Sequence, residues 1–351
     1  MNPIDEIAIR AGVSTATVSR TFRAPEKLRK ETATKILQIA DQLNYSPTPR
    51  RSRRKSNNHV APTAAGNIGF LFFCEHPREI YSRDAFYGLI LHGAQDQAKA
   101  LGLTVEADIA ERYTAPRVLP AMVAKRSVGG LLLVGAAPTH VLGFFSSAAP
   151  HIVYVDHLDP SGERDGVLSD GIGGAMAIMT HLGDLGHRRI AFVCPVSEAV
   201  TFRERYQGYQ LYCIANGIPL NPRQIIMANG YDDARARVEE LITAQDAPTA
   251  IFAANDLTAS WVLHACHARS INVPNQLSVA GFDDVDLARH VWPPLTTLHV
   301  DIEGIGQQAV LRLYEKMTLP SSNSAGLTPV KIRVRGSVVV RQSTCPPPKP
   351  S

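Results

Sequence analysis

Cysteine is scarce in this chain: five thiols in 351 residues, with no C-x-x-C pair among them. Cys74, Cys194, Cys213, Cys266 and Cys345 are odd in number, which excludes a fully paired disulfide framework. They read as buried thiols of a reducing compartment. Long apolar runs are missing too, since none approaches the roughly 18 residues that span a bilayer. The opening MNPIDEIAIR has neither a basic n-region nor an apolar h-region, so no signal peptide is expected and the chain reads as cytoplasmic. Catalytic and cofactor strings are also lacking. His264 and His267 stand three apart without a third partner, and H-E-x-x-H does not occur, so no metal is expected. GIGGA at 171–175 is not a G-x-G-x-x-G after a strand, so no dinucleotide cofactor is expected. Neither G-x-S-x-G nor a P-loop appears, and nothing gathers a nucleophile, a base and oxyanion donors. An enzyme is therefore not expected.

What is present is unevenly distributed. Residues 1–60 hold 12 Lys/Arg against 5 Asp/Glu, whereas the remainder holds 24 against 27. A small basic head on a near-neutral body points to a polyanion partner for the head alone. The densest charge is PRRSRRK at 49–55, five cations in seven residues. The chain is long enough, at 45% hydrophobic residues, to bury two or three separate cores.

In the head, Ile4, Ile7 and Ala8 mark one apolar face of a short helix that Gly12 ends. Ser14 is a good N-cap for a second helix through about Phe22. Val18 and Phe22, four apart, can face the first helix. A third helix is expected from about Lys30 to Leu43. Two short helices across a tight A-G-V turn make a helix-turn-helix, whose second helix enters a major groove. Thr15 and Ala16 then meet base edges. Ser14, Thr17 and Ser19 carry hydroxyls suited to phosphates, and Arg20 can reach a guanine.

In the body, apolar runs of strand length alternate with helical stretches every 20 to 30 residues. Asn67–Phe73, Gly130–Val134 and Ile152–Val155 are expected strands, with helices near Ala85–Leu101 and 118–125. The pattern restarts with a helix over Gly171–Leu185, a strand at Ile190–Val193, and further units to about Met317. That is the signature of parallel sheets covered by helices. Two such units of similar size make two lobes, with ligands expected beyond the carboxyl ends of their strands.

AGVSTATVSR followed by LNYSP resembles the headpiece of the LacI/GalR (lactose-repressor) family of bacterial transcription regulators. LGHRRIAFV, RERYQGY, AIFAANDLTA, LSVAGFDDVD, PPLTTLHVDIEGIGQQAV and VVVRQST match its effector-binding part in order and spacing. The likeness covers about 10–345. It implies an α/β protein with an N-terminal three-helix helix-turn-helix headpiece and a two-lobed, periplasmic-binding-protein-like body of parallel sheets. The implied domains are 1–47 for the headpiece, 48–66 for a basic and polar hinge linker, 67–345 for the body, and 346–351 for a tail. The lobes are expected as 67–165 plus 285–300, and 166–284 plus 301–345.

The resemblance implies a repressor on a near-palindromic double-stranded operator, acting as a homodimer and tuned by a sugar or sugar derivative between the lobes. It places Arg205, Asn255 and Asp283 in the cleft, with Asp156 as a first-lobe contact and Tyr45 in the DNA-reading headpiece. A guanidinium, an amide and a carboxylate together suit a polyhydroxy ligand. Asp256 can instead cap the helix after Asn255, and Asp170 can cap the helix after it. Tyr81, Phe86 and Trp292 can stack on a sugar face. The family's hinge wedges a leucine into the minor groove, but the ungapped counterpart here is about Arg54. Arg50, Arg51, Arg53, Arg54 and Lys55 therefore either grip phosphates in place of the wedge or stay solvated and speed association. A plain solute-binding protein is the alternative that the body alone permits; the headpiece argues against it.

Overall fold

The computed structural model describes residues 3–22, 30–43, 45, 67–74, 85–112, 121–124, 127–146, 149, 151–159, 161–197, 199–318 and 328–349. The hinge linker, and with it Arg50, Arg51, Arg53, Arg54 and Lys55, lies outside the described residues, as does Tyr81.

The headpiece is three helices: α1 (Pro3–Ala11), α2 (Thr15–Thr21) and α3 (Lys30–Gln42). Gly12 adopts φ 72°, which lets the chain turn while Val13 N donates to Ala8 O at 3.0 Å. Ser14 opens α2 by accepting the amide of Thr17 on its hydroxyl at 3.2 Å. Ile7, Ala8, Ala11, Val18, Ile36 and Ala40 form the buried core.

The body begins with β1 (Asn67–Cys74), α4 (Ala85–Ala100), β2 (Thr104–Glu111), α5 (Ala121–Ala124), β3 (Gly130–Val134), α6 (Thr139–Ser146), β4 (Ile152–Val155) and β5 (Asp165–Ser169). Next come α7 (Gly171–Asp184), β6 (Ile190–Pro195), α8 (Val200–Ala215), β7 (Ile225–Ala228), α9 (Tyr231–Thr243), β8 (Ala250–Ala253), α10 (Asp256–Ala268) and β9 (Ser278–Ala280). It closes with α11 (Leu287–His290), β10 (Thr297–Val300), α12 (Ile302–Thr318), β11 (Lys331–Val334) and β12 (Gly336–Val339). One sheet has the order β11-β5-β4-β3-β1-β2 and the other β7-β6-β8-β9, and every pairing within them is parallel. The antiparallel pair β10-β12 lies apart from both. β1, β3, β4 and β8 are apolar along their length because helices cover both faces.

The lobes are not partitioned as the sequence reading expects. β5 and β11 both join the first sheet, and α12 packs against α4 of that lobe rather than in the second. The physical reason is a buried anchor. Asp165, fully buried at the start of β5, accepts from Arg312 at 3.1 Å, from Lys316 at 2.5 Å and from the amide of Val330 at 2.7 Å. That carboxylate ties α12 and the approach to β11 to the first sheet. The segment 285–300 is also misassigned by the sequence reading, since Ala288 and Leu295 pack in the outer core of the second lobe. The chain therefore crosses between lobes three times: after Ser169, between Asp283 and Ile302, and between Val334 and Ser343. After the third crossing Ser343 O accepts Val279 N at 2.8 Å in the second lobe.

α12 meets α4 at two glycines. A Cβ at Gly306 would lie 2.1 Å from Ile90 O, and one at Gly93 would lie 2.1 Å from Glu303 O. Neither backbone can yield without separating the helices. Gly306→Ala should therefore destabilise the body by about 1–3 kcal/mol, read as a lower urea midpoint of its unfolding transition.

Candidate functional site

The outer surface of α2 presents Ser14, Thr15, Ala16 and Arg20 to solvent, while Thr17 and Ser19 are half-buried. Thr17 is partly engaged already, since its hydroxyl lies 2.9 Å from that of Ser14. Tyr45 sits under this surface. Its ring meets Phe22 edge-on at 5.9 Å and its amide donates to Ala40 O at 2.8 Å, so it closes the headpiece core.

The second candidate site lies at the carboxyl ends of the strands. Arg205, in the second turn of α8, is 3% exposed. Its Nη1 donates to Ala254 O at 2.6 Å, just beyond β8, and its Nη2 donates to Asp283 Oδ1 at 2.8 Å, just beyond β9. The guanidinium lies 3.9 Å from the centroid of the Phe282 ring, where planar stacking adds to the pairing. Burial pushes the Asp283 carboxyl above its ordinary range, and the guanidinium opposes that rise. Asn255 lies beside this pair and caps α10, its Oδ1 accepting Thr258 N at 2.9 Å and Thr258 Oγ1 at 2.6 Å.

Asp256 therefore does not cap α10, because its neighbour Asn255 already does. Its carboxyl group turns into the core, accepting the hydroxyl of Thr297 at 2.5 Å and the amide of Val285 at 2.9 Å. It joins α10 to both ends of the second crossover. Asp170 does cap a helix, accepting Gly173 N at 2.9 Å at the start of α7.

From the first lobe, Asp156 ends β4 with φ 55° and is buried. Its Oδ2 accepts the Tyr87 hydroxyl at 2.8 Å. Burial pushes its carboxyl up to about 7; Tyr87 and Arg205 pull it down, and Asp283 pushes it up. Asp156, Asp283 and Asp284 are three of the four non-glycine residues at positive φ among the described residues. Strained backbone gathered at facing strand ends is a mark of a functional site.

Buried polar atoms without partners concentrate there as well. Asp156 Oδ1, His157 Nδ1, Ser169 Oγ and Arg205 Nε are buried with no hydrogen bond among the described residues. The first three lie at or just past the ends of β4 and β5 in the first lobe, and the fourth comes from the second lobe, near enough to Asp156 to act on its charge. Such groups cost free energy unless something satisfies them. Together they offer a carboxyl acceptor, an imidazole, a hydroxyl and a guanidinium donor, the mixed set that a polyhydroxy compound uses. Burial, with Arg203 and Arg112 near it, lowers the His157 imidazole to about 4, so it is neutral at pH 7.

Of the sequence-predicted cleft residues, Arg205, Asn255, Asp283 and Asp156 are brought together. Phe86 packs edge-on against Tyr87 at 5.3 Å, next to Asp156. Trp292 is not brought to the cluster. It is 83% exposed after α11, because the preceding Val291 packs into the outer core of the second lobe and turns the indole to solvent. Sequence reading missed Tyr87, His157, Ser169 and Phe282. His157 and Phe282 adjoin predicted residues, so a window of one residue around each strand end would have found them. Among the described residues, no group of three or more His, Cys, Asp or Glu could hold a metal ion. No described helix is long and apolar enough to cross a membrane.

A helix-turn-helix headpiece joined to a two-lobed binding body defines a class of ligand-responsive DNA-binding proteins. Residues 3–48 match the family of bacterial regulatory proteins of the lacI type, and residues 179–344 match the periplasmic binding protein-like domain. The chain thus resembles the lacI family of bacterial regulatory proteins at its headpiece and the periplasmic binding proteins in its body. It is 28% identical over 329 residues to the HTH-type transcriptional repressor PurR of Haemophilus influenzae (strain PittEE), covering 91% of this chain and 92% of that one. It is 27% identical over 341 residues to the HTH-type transcriptional repressor CytR of Escherichia coli (strain K12), covering 95% of each. Its fold matches the transcriptional regulator CelR-cellobiose complex with a TM-score of 0.69 at 24% identity, covering 97% and 99% of the two chains. It also matches the lac repressor dimer bound to operator and the anti-inducer ONPF, with a TM-score of 0.67 at 23% identity, over 97% and 98%.

The buried carboxyl of Asp256 makes stability depend on pH. Burial, then Asp283, raise it to about 8. The folded state therefore holds a proton that the unfolded chain releases near pH 4, so stability falls as pH rises from about 4 to about 8 and levels off above. Asp256→Asn should flatten that fall by an amount on the order of 5 kcal/mol, measured as urea unfolding free energy across the window.

Proposed function

We propose that this protein is a sequence-specific transcriptional repressor that binds a near-palindromic operator as a homodimer in the bacterial cytoplasm. Its DNA affinity is set by a sugar or sugar derivative held between the lobes. The observation that carries the reading is that one chain joins a capped recognition helix, with Thr15, Ala16 and Arg20 exposed, to a cleft whose facing strand ends hold buried, unpartnered polar atoms. The names of the relatives support repression, and the cellobiose complexed with the structural neighbour CelR supports a sugar. The relatives named are repressors rather than enzymes, and the cleft gathers groups for binding rather than a nucleophile with its base.

In this reading Ser14, Thr17 and Ser19 hold the phosphate backbone while Thr15, Ala16 and Arg20 read bases. Arg205, Asp283, Asn255 and Asp156 grip the effector, with Phe86 supporting Tyr87. A ligand that contacts both lobes favours one lobe orientation by its differential affinity, and the spacing of the two headpieces follows. The cations from Arg50 to Lys55 add a phosphate grip where the family has a leucine wedge.

Equilibrium binding to a duplex from the protein's own upstream region, against a scrambled duplex, tests the reading. We expect tight, sequence-dependent binding that one member of a sugar panel shifts at least tenfold. Equal binding to both duplexes, or tight sugar binding with no DNA affinity, contradicts it. Replacing Arg50, Arg51, Arg53, Arg54 and Lys55 with glutamine should flatten the log–log salt slope by about 0.9 for each phosphate that is no longer neutralised.

A further inference from the structure

One turn of α8 grips all three crossovers between the lobes. Arg205 holds the second through Asp283. Its neighbour Glu204, buried in the second lobe, reaches Arg333 at the end of β11 in the first. The contact is two-pronged: Arg333 Nη1 donates to Glu204 Oε2 at 2.5 Å and Arg333 Nη2 donates to Oε1 at 2.7 Å. Arg333 stands two residues before Arg335, where the chain leaves the first sheet for β12, so the pair spans the third crossover. The first crossover passes under the same side chain. A Cβ at Gly171 would lie 2.7 Å from the Glu204 Cβ, so only glycine lets the start of α7 rest there.

We propose that the Glu204–Arg333 pair is an inter-lobe latch that holds the lobes in this orientation, and so sets how readily they rearrange when the cleft is filled. A guanidinium and a carboxylate that face each other in two parallel hydrogen bonds fix angle as well as distance. Rotation of one lobe against the other breaks both bonds at once. The buried Glu204 carboxylate is then parted from its cation, which makes the open alternative costly. The rearrangement is therefore a two-state event rather than a continuous flexing of the crossovers. Arg333 also acts as a positioning residue for Arg205, because fixing Glu204 fixes the turn of α8 that carries both.

Hydrogen–deuterium exchange on the full-length protein tests the latch, and its readout needs neither DNA nor effector. The variants are Glu204→Gln, Arg333→Gln and the two together. Glu204→Gln keeps the side-chain shape and serves if Arg333→Gln, which leaves a buried carboxylate unpaired, fails to fold. We expect amides of β10, β12 and the 165–174 segment to exchange about fivefold to tenfold faster in each single variant, with α9 and α10 unchanged. The double variant should exchange no faster than the worse single one, since the two side chains act as one unit. Unchanged exchange at the crossovers, acceleration spread evenly through the second lobe, or additive effects in the double variant would each overturn the latch.

Discussion

The buried pair between Arg205 and Asp283 constrains the rest of the cleft. A guanidinium with 3% exposure is tolerable only when most of its donors are met, and here Asp283, Ala254 O and the face of Phe282 meet the two terminal nitrogens, while Nε has no hydrogen bond among the described residues. Asp283 follows β9, Ala254 follows β8 and Arg205 comes from α8, so one side chain fixes three elements of the second lobe against each other. The left-handed backbone of Asp283, at φ 106°, is held by this pairing and by the stitch of its amide to Leu298 O at 2.9 Å. The strand that carries Leu298 is the second crossover, so the buried pair and the path between the lobes are one piece of structure.

The first lobe answers with groups of a different character. Asp156, raised to about 7, is only partly ionised at neutral pH, and His157 is neutral. The positive charge buried at the strand ends, on Arg205, is already balanced by Asp283. Under the proposed function, such a floor suits an uncharged ligand rich in hydroxyls, because few unbalanced charges would have to be stripped of water. It also leaves the lobes with little mutual repulsion, which suits a body that must rest in a defined orientation and still move.

Much of this was legible in the sequence. The headpiece was readable because Gly12, Ser14 and the apolar face of Val18 are local signals, and the structure uses each where it stands. Asn255 and Asp283 were readable because they fall just past strand ends within recognisable strings, and Arg205 because of its R-x-x-G-Y string, although it lies in the second turn of α8 rather than at a strand end. The lobe partition was not, since the edge that β11 joins depends on Asp165 meeting Arg312 and Lys316, about 150 residues away along the chain. No periodicity encodes such a contact. Tyr87 and Ser169 were missed for a related reason. Their importance lies in what they face across the fold, and β5 is too short and too polar at its ends to read as a strand. Trp292 misled because an aromatic near a cleft motif looks like a stacking platform, and only the packing of Val291 shows that it turns outward.

The central claim is that the cleft around Arg205 is what the headpiece responds to. The most direct measurement is operator binding by Arg205→Lys, titrated with the effector that shifts the unaltered protein. Lysine keeps one positive charge but loses the two-pronged pairing and the stack on Phe282. The account predicts operator affinity close to that of the unaltered protein, with the effector response reduced at least tenfold. A full response at the same effector concentration would contradict it.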